Sequence, residues 1–144
     1  MSSTTTKEES IFGTADGLSS TLGVVIAVAI THPSLVATAA VAVAVGSAVS
    51  MCLSEYLSDS SESNYKAFIM GIATFIGAIS PAIPFFIFSG TLAYILCGII
   101  CSTLCIIISR NRPGGELKSL IITFSVTLIS SGLAVGASLL AGAA

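Results

Sequence analysis

The chain has 144 residues, 54% of them hydrophobic and 8% charged, and a net charge of −2. Soluble domains average about 25% charged residues, so this composition leaves too little polar surface for a soluble fold, and lipid is expected to solvate much of the outside. The near-neutral balance, with no basic patch interleaved with aromatics, gives no support for a nucleic-acid partner.

The opening residues, MSSTTTKEES, are polar and carry both signs of charge. They lack the basic, then apolar, then small-residue order of a cleavable signal peptide, so the first apolar run is expected to remain as a membrane helix. Residues 1–13 read as a cytoplasmic N-terminal segment and residues 14–144 as one transmembrane domain. Five apolar runs follow, over about residues 14–31, 33–58, 66–88, 90–109 and 116–141. Each approaches or exceeds the roughly 20 residues that cross a hydrocarbon core of about 30 Å. The fold class predicted is therefore all-α, a polytopic membrane protein with five transmembrane helices.

The breaks between runs have chemical causes. His32-Pro33 ends one helix and starts the next, because proline suits a first helical turn and not an interior. Residues 58–64 form a short polar link, Ser89-Gly90 divides an otherwise continuous apolar stretch, and Arg110-Asn111-Arg112-Pro113-Gly114-Gly115 is a loop. Inside the third run, Pro81 and Pro84 each remove an N–H donor and should kink the helix. With five crossings, Lys7, Lys66, Arg110, Arg112 and Lys118 all fall on one side. The excess of Lys and Arg on that side predicts a cytoplasmic N-terminus.

Polar residues in the runs are few. Asp16 is the only acid within the first run; it reads either as a helix-start cap or as an intramembrane functional acid. Met51, Glu55, Asp59 and Glu62 are spaced four, four and three residues apart, so a continuous helix would place them within about 80° of one another. Carboxylate oxygens with a thioether suit Fe²⁺ or Mn²⁺ better than Mg²⁺; the bland alternative is a solvated helix end with Met51 in ordinary packing. Cys97, Cys101 and Cys105 recur every four residues in the fourth run, and Cys52 lies in the second. All sit in apolar sequence, which argues against a secreted disulfide framework and for small packing residues over soft-metal ligands. Ala40, Ala44, Ala48 and Cys52, then Gly46, Ser50, Ser54 and Ser58, then Gly132 and Gly136 form small-residue faces suited to close helix contact. The single histidine, His32, stands alone in a turn, and no nucleophile–base set or GxxxxGK[ST] phosphate loop is present, so an enzyme is not expected.

The motifs taken in order resemble the vacuolar iron/manganese transporter family. Asp16-Gly17-Leu18 with Leu22-Gly23 is similar to its DGL…LG opening, and Ser50-Met51 with Glu55-Tyr56-Leu57-Ser58 is similar to its SMxxxEYxS signature. Ile76-Gly77-Ala78 with Pro81-Ala82-Ile83-Pro84-Phe85 resembles its GAxxPxxPF span, and the Arg110-Asn111 loop its last connection. The resemblance implies proton-coupled movement of Fe²⁺, Mn²⁺ or both out of the cytosol, across a vacuolar-type or plasma membrane. It further implies a homodimer with a pathway between the copies, Asp16 and Met51 as pathway ligands and Glu55 at the cytoplasmic mouth. The metal is then a substrate, and no permanently bound cofactor is expected.

Two departures stand out. The Glu- and Met-rich cytoplasmic domain between the second and third spans is reduced here to a short polar link, as in nodulin-like relatives, so Asp59 and Glu62 are expected to act as a weak collecting site. Val43 occupies the position, two turns before Met51, where many relatives carry an acid. Beside transport stand two other readings: a non-transporting membrane scaffold or assembly subunit, and a passive cation pore.

Overall fold

A computed structural model describes residues 3–58, 64–112 and 116–142, and every regular element among the described residues is helical. The helices are α1 (Ser3–Thr31), α2 (Val36–Ser58), α3 (Asn64–Ile79), α4 (Ile83–Ile87), α5 (Thr91–Asn111) and α6 (Glu116–Gly142). Among the described residues, five helical stretches are long and apolar enough to cross a membrane: Lys7–Thr31, Pro33–Ser58, Asn64–Ile87, Thr91–Asn111 and Leu117–Gly142. The chain is an integral, multi-pass membrane protein.

The first helix starts at Ser3 and not near Thr14. Hydropathy marks where a chain enters hydrocarbon, not where its helix begins, and nothing before Gly13 breaks a helix. Consequently Glu8 and Glu9 stand on the same helix as Asp16. At the other end, His32 leaves helical geometry (φ −140°, ψ 72°) and Pro33–Leu35 forms a 3₁₀ turn that leads into α2. The third span is broken as its prolines require. α3 stops at Ile79, and Ser80–Ala82 forms a 3₁₀ turn before α4. Pro84 has no N–H for the Ser80 carbonyl, which accepts from the Ile83 N–H instead. Phe88 is extended, and Gly90 takes φ +69°, a left-handed conformation that costs glycine little.

The centre of the bundle is α1. It meets α3 almost backbone to backbone: a Cβ on Gly13 would lie 2.6 Å from the Met70 carbonyl oxygen, one on Gly17 would collide with the Thr74 carbonyl, and one on Gly77 with the Thr14 carbonyl. The opposite side of α1 packs Leu18 and Leu22 against Cys97, Cys101, Cys105 and Ile108 of α5. Nearer the 3₁₀ turn, Val25 and Ala29 meet Val36, Ala40 and Ala82.

Helix α6 is inside out by soluble standards. Its buried face carries Ser119, Thr123, Thr127 and Ser131, whereas Leu128 and Leu133 are 65% and 70% exposed. In lipid, leucine gains nothing by turning inward, and small hydroxyl residues let helices approach. Gly23 of α1 accordingly faces Ala134 and Ser131, and the Ser130 hydroxyl donates to the Ser19 carbonyl at 3.2 Å. The expected Gly132 and Gly136 face does not serve this contact, since a Cβ at either position would meet nothing within 4 Å. On α2, Ala40 and Ala44 are buried and Cys52 packs on Gly71 of α3, where a Cβ would lie 2.9 Å from the Cys52 Cβ. The Gly46, Ser50, Ser54 and Ser58 face is exposed.

Adding a Cβ where backbone already sits forces the helices apart, and overpacking of this kind costs about 1–3 kcal/mol. Gly17→Ala and Gly77→Ala should each lower the unfolding temperature in detergent, while Gly98→Ala, which adds its methyl to open space, should leave it unchanged or slightly raised. Equal melting of all three would mean that the α1–α3 contact is not close.

Candidate functional site

Asp16 sits one helical face away from the glycine contact. Gly13 and Gly17 hold α3, Leu18 and Leu22 hold α5, and the remaining side of α1 turns Asp16 into a cavity of about 630 Å³. Glu8, Glu9 and Ser19 of α1, Met70 of α3 and Arg112 after α5 also line it. The Asp16 side chain is half-buried. A carboxylate at a helix centre costs about 2.5–3.5 kcal/mol on insertion scales and less near an interface. Its place near the start of the first span, in a cavity whose mixed lining includes Arg112 and Ser19, lowers that cost. The cavity therefore concentrates acids at the end of the bundle where α1 begins and α5 ends.

Three of these lining residues were not legible as site residues. Glu8 and Glu9 lie eight and seven residues before Asp16, close to two turns, so a helix drawn from Ser3 puts them near its stripe. That spacing is the signal the sequence carries, and it shows only when the helix extends N-terminal to the apolar run. Met70 brings a thioether-bearing residue of α3 to the cavity that holds Asp16, and its sequence context gives no sign of this.

Met51 and Glu55 stand one turn apart on α2, both half-buried, and neither lines the Asp16 cavity. Asp59 and Glu62 lie outside the described residues. Among the described residues, no three His, Cys, Asp or Glu side chains converge on a point that would hold a metal ion. Val43 is half-buried on α2. Pro81 and Pro84 are buried at the break between α3 and α4, and His32 is exposed at the opposite end.

The three α5 cysteines form a buried file. Cys97 and Cys101 place their sulfurs 4.0 Å apart, and Cys105 Sγ lies 4.0 Å from Thr127 Oγ1 of α6. All three sit in the apolar cluster around Leu18 and Leu22, which is the environment of packing thiols and not of open metal ligands. Replacing all three by alanine should therefore lower the unfolding temperature through lost packing and leave divalent-metal binding by the purified chain unchanged. Loss of metal binding without loss of stability would assign them a ligand role.

The geometry can be set beside known proteins. No curated protein and no solved structure matches the chain. A family model does: over residues 8–67, which hold α1 from Glu8 onward and all of α2, and with them Asp16, Met51 and Glu55, the chain matches the VIT family.

Proposed function

We propose that the chain transports a divalent transition-metal ion, Fe²⁺ or Mn²⁺, out of the cytosol by exchange for protons along a pathway between two copies. The observation that carries this reading is the half-buried Asp16 in a cavity that also holds Glu8 and Glu9, on the segment that matches the VIT family. Intramembrane acids lining a cavity mark ion routes, and the arrangement offers nothing for bond-making chemistry.

Among the described residues of one copy, no ligand set assembles. A two-fold partner would supply a second Asp16 and a second Met51, so that carboxylates and thioethers from both copies surround one ion on the symmetry axis. The exposed Gly46, Ser50 and Ser54 face of α2 is suited to that contact. A carboxylate must be deprotonated to bind metal, so ion and proton compete for Asp16. With Val43 apolar, Asp16 carries this exchange without a second acid on α2. Glu8 and Glu9 would draw cations toward Asp16, Glu55 would stand at the cytoplasmic mouth, and Asp59 with Glu62 would extend the collecting surface. Placing all five basic residues on the cytoplasmic side sets the N-terminus inside, in a vacuolar-type or plasma membrane.

Reconstituted vesicles test this directly. Fe²⁺ or Mn²⁺ uptake should follow an imposed pH gradient and fall to background in Asp16→Asn, which keeps shape but cannot ionise. Glu8→Gln with Glu9→Gln should weaken the apparent affinity severalfold with maximal flux retained, and more so at low ionic strength. Uptake indifferent to the gradient would favour a passive pore, and no uptake of either ion would favour a scaffold.

A further inference from the structure

A second cavity, of about 670 Å³, lies between α2 and α3 and shares no lining residue with the Asp16 cavity. Its walls are apolar: Val45, Val49 and Leu53 on α2 face Phe68, Ile72 and Phe75 on α3, and all six side chains are exposed. Its floor is the close contact of Gly71 with Ala48 and Cys52. We infer that this groove holds one acyl chain of a phospholipid from the leaflet at the α2–α3 loop end, as a resident lipid and not as part of the exchanging solvent.

Its length selects that occupant. The groove runs from Tyr56 to Val45 on α2 and from Asn64 to Phe75 on α3, eleven helical steps along either wall, or about 16 Å at 1.5 Å per residue. Half of a hydrocarbon core is about 15 Å. The groove is therefore one leaflet deep and ends near mid-membrane, whereas a helix of a second copy would need a furrow across the whole bilayer. Its open end is amphipathic. Tyr56 and Asn64 line that end, and Tyr65 is exposed beside it, the composition found where membrane helices meet headgroups. The groove also lies about 120° around α2 from the Gly46, Ser50 and Ser54 face, so a lipid there leaves that face open for a second copy. This inference does not depend on metal transport.

The chain contains no tryptophan, so one introduced indole reports its own surroundings. The full chain carrying Phe68→Trp, Phe75→Trp or, on the outward face of α6, Leu128→Trp would be reconstituted in phosphatidylcholine vesicles brominated in the acyl chains. It would then be transferred to lipid-free detergent. All three should be quenched in the vesicles; after transfer the two groove indoles should stay quenched while Leu128→Trp recovers. Native mass spectrometry of the same samples should show one brominated phospholipid per chain. Recovery of the groove indoles together with Leu128→Trp would overturn the inference. Quenching of Leu128→Trp alone in the vesicles would also overturn it, because protein and not lipid would then cover the groove.

Discussion

The close contact between α1 and α3 sets the geometry of everything else. Glycines at positions 13, 17 and 77 remove the side chains that would hold these helices apart, and each backbone comes to rest on the carbonyls of the other. Four elements then claim most of the circumference of α1: α3 on the glycine face, α5 on the Leu18 and Leu22 face, α6 along Ser19 and Gly23, and α2 against Val25 and Ala29. What is left is a narrow strip that contains Asp16. An ionisable group inside a membrane faces a cavity or the bundle interior, and this packing gives Asp16 a cavity it shares with Glu8, Glu9 and Arg112.

The solvent explains features that would look wrong in a soluble protein. A face of Ser119, Thr123, Thr127 and Ser131 points inward while isoleucines and leucines point out. With hydrocarbon outside, burial of apolar area no longer drives helix association, and close approach with local hydrogen bonds takes over. The Thr123 hydroxyl donates to the Ser119 carbonyl at 2.9 Å, and the Thr74 hydroxyl to the Met70 carbonyl at 2.8 Å. Those two hydroxyls are satisfied within their own helices and leave their small volume to be packed, whereas the buried hydroxyls of Thr21, Ser119 and Ser131 have no hydrogen-bond partner among the described residues and serve by their size alone. The cysteine file of α5 works in the same way, supplying small, polarisable side chains opposite α1.

Much of this was legible in the residues, and the reasons are physical. The five spans follow from length and apolarity, and the interruptions at His32-Pro33, Pro81, Pro84 and Gly90 follow from the conformations that proline and glycine allow. The beginning of α1 was not legible, because Lys7, Glu8 and Glu9 resemble a solvated tail until helix is assigned to them. The small residues of α2 stood out as repeats, yet only Ala40, Ala44, Ala48 and Cys52 turn toward the bundle. Gly13 and Gly17 were less conspicuous beside Asp16, although they make the closer contact. Gly132 and Gly136 promised a contact that α6 makes instead through its hydroxyl residues. Pattern alone does not say which of several small-residue faces meets a neighbour, since that depends on all the helices at once. The arrival of Met70 at the Asp16 cavity is a tertiary fact of the same kind.

The separation of Asp16 from Met51 and Glu55 gives the functional account its shape. Within one copy these groups occupy different surroundings, and no ligand set forms among the described residues. The proposed single ion on a two-fold axis would resolve this, and its stoichiometry is the most direct test of the account. Mn²⁺ binding to the purified full chain should be measured by titration with electron paramagnetic resonance of the free ion. The account predicts one tightly bound ion for every two chains, lost in Asp16→Asn. One ion per chain, or binding that survives Asp16→Asn, would contradict it.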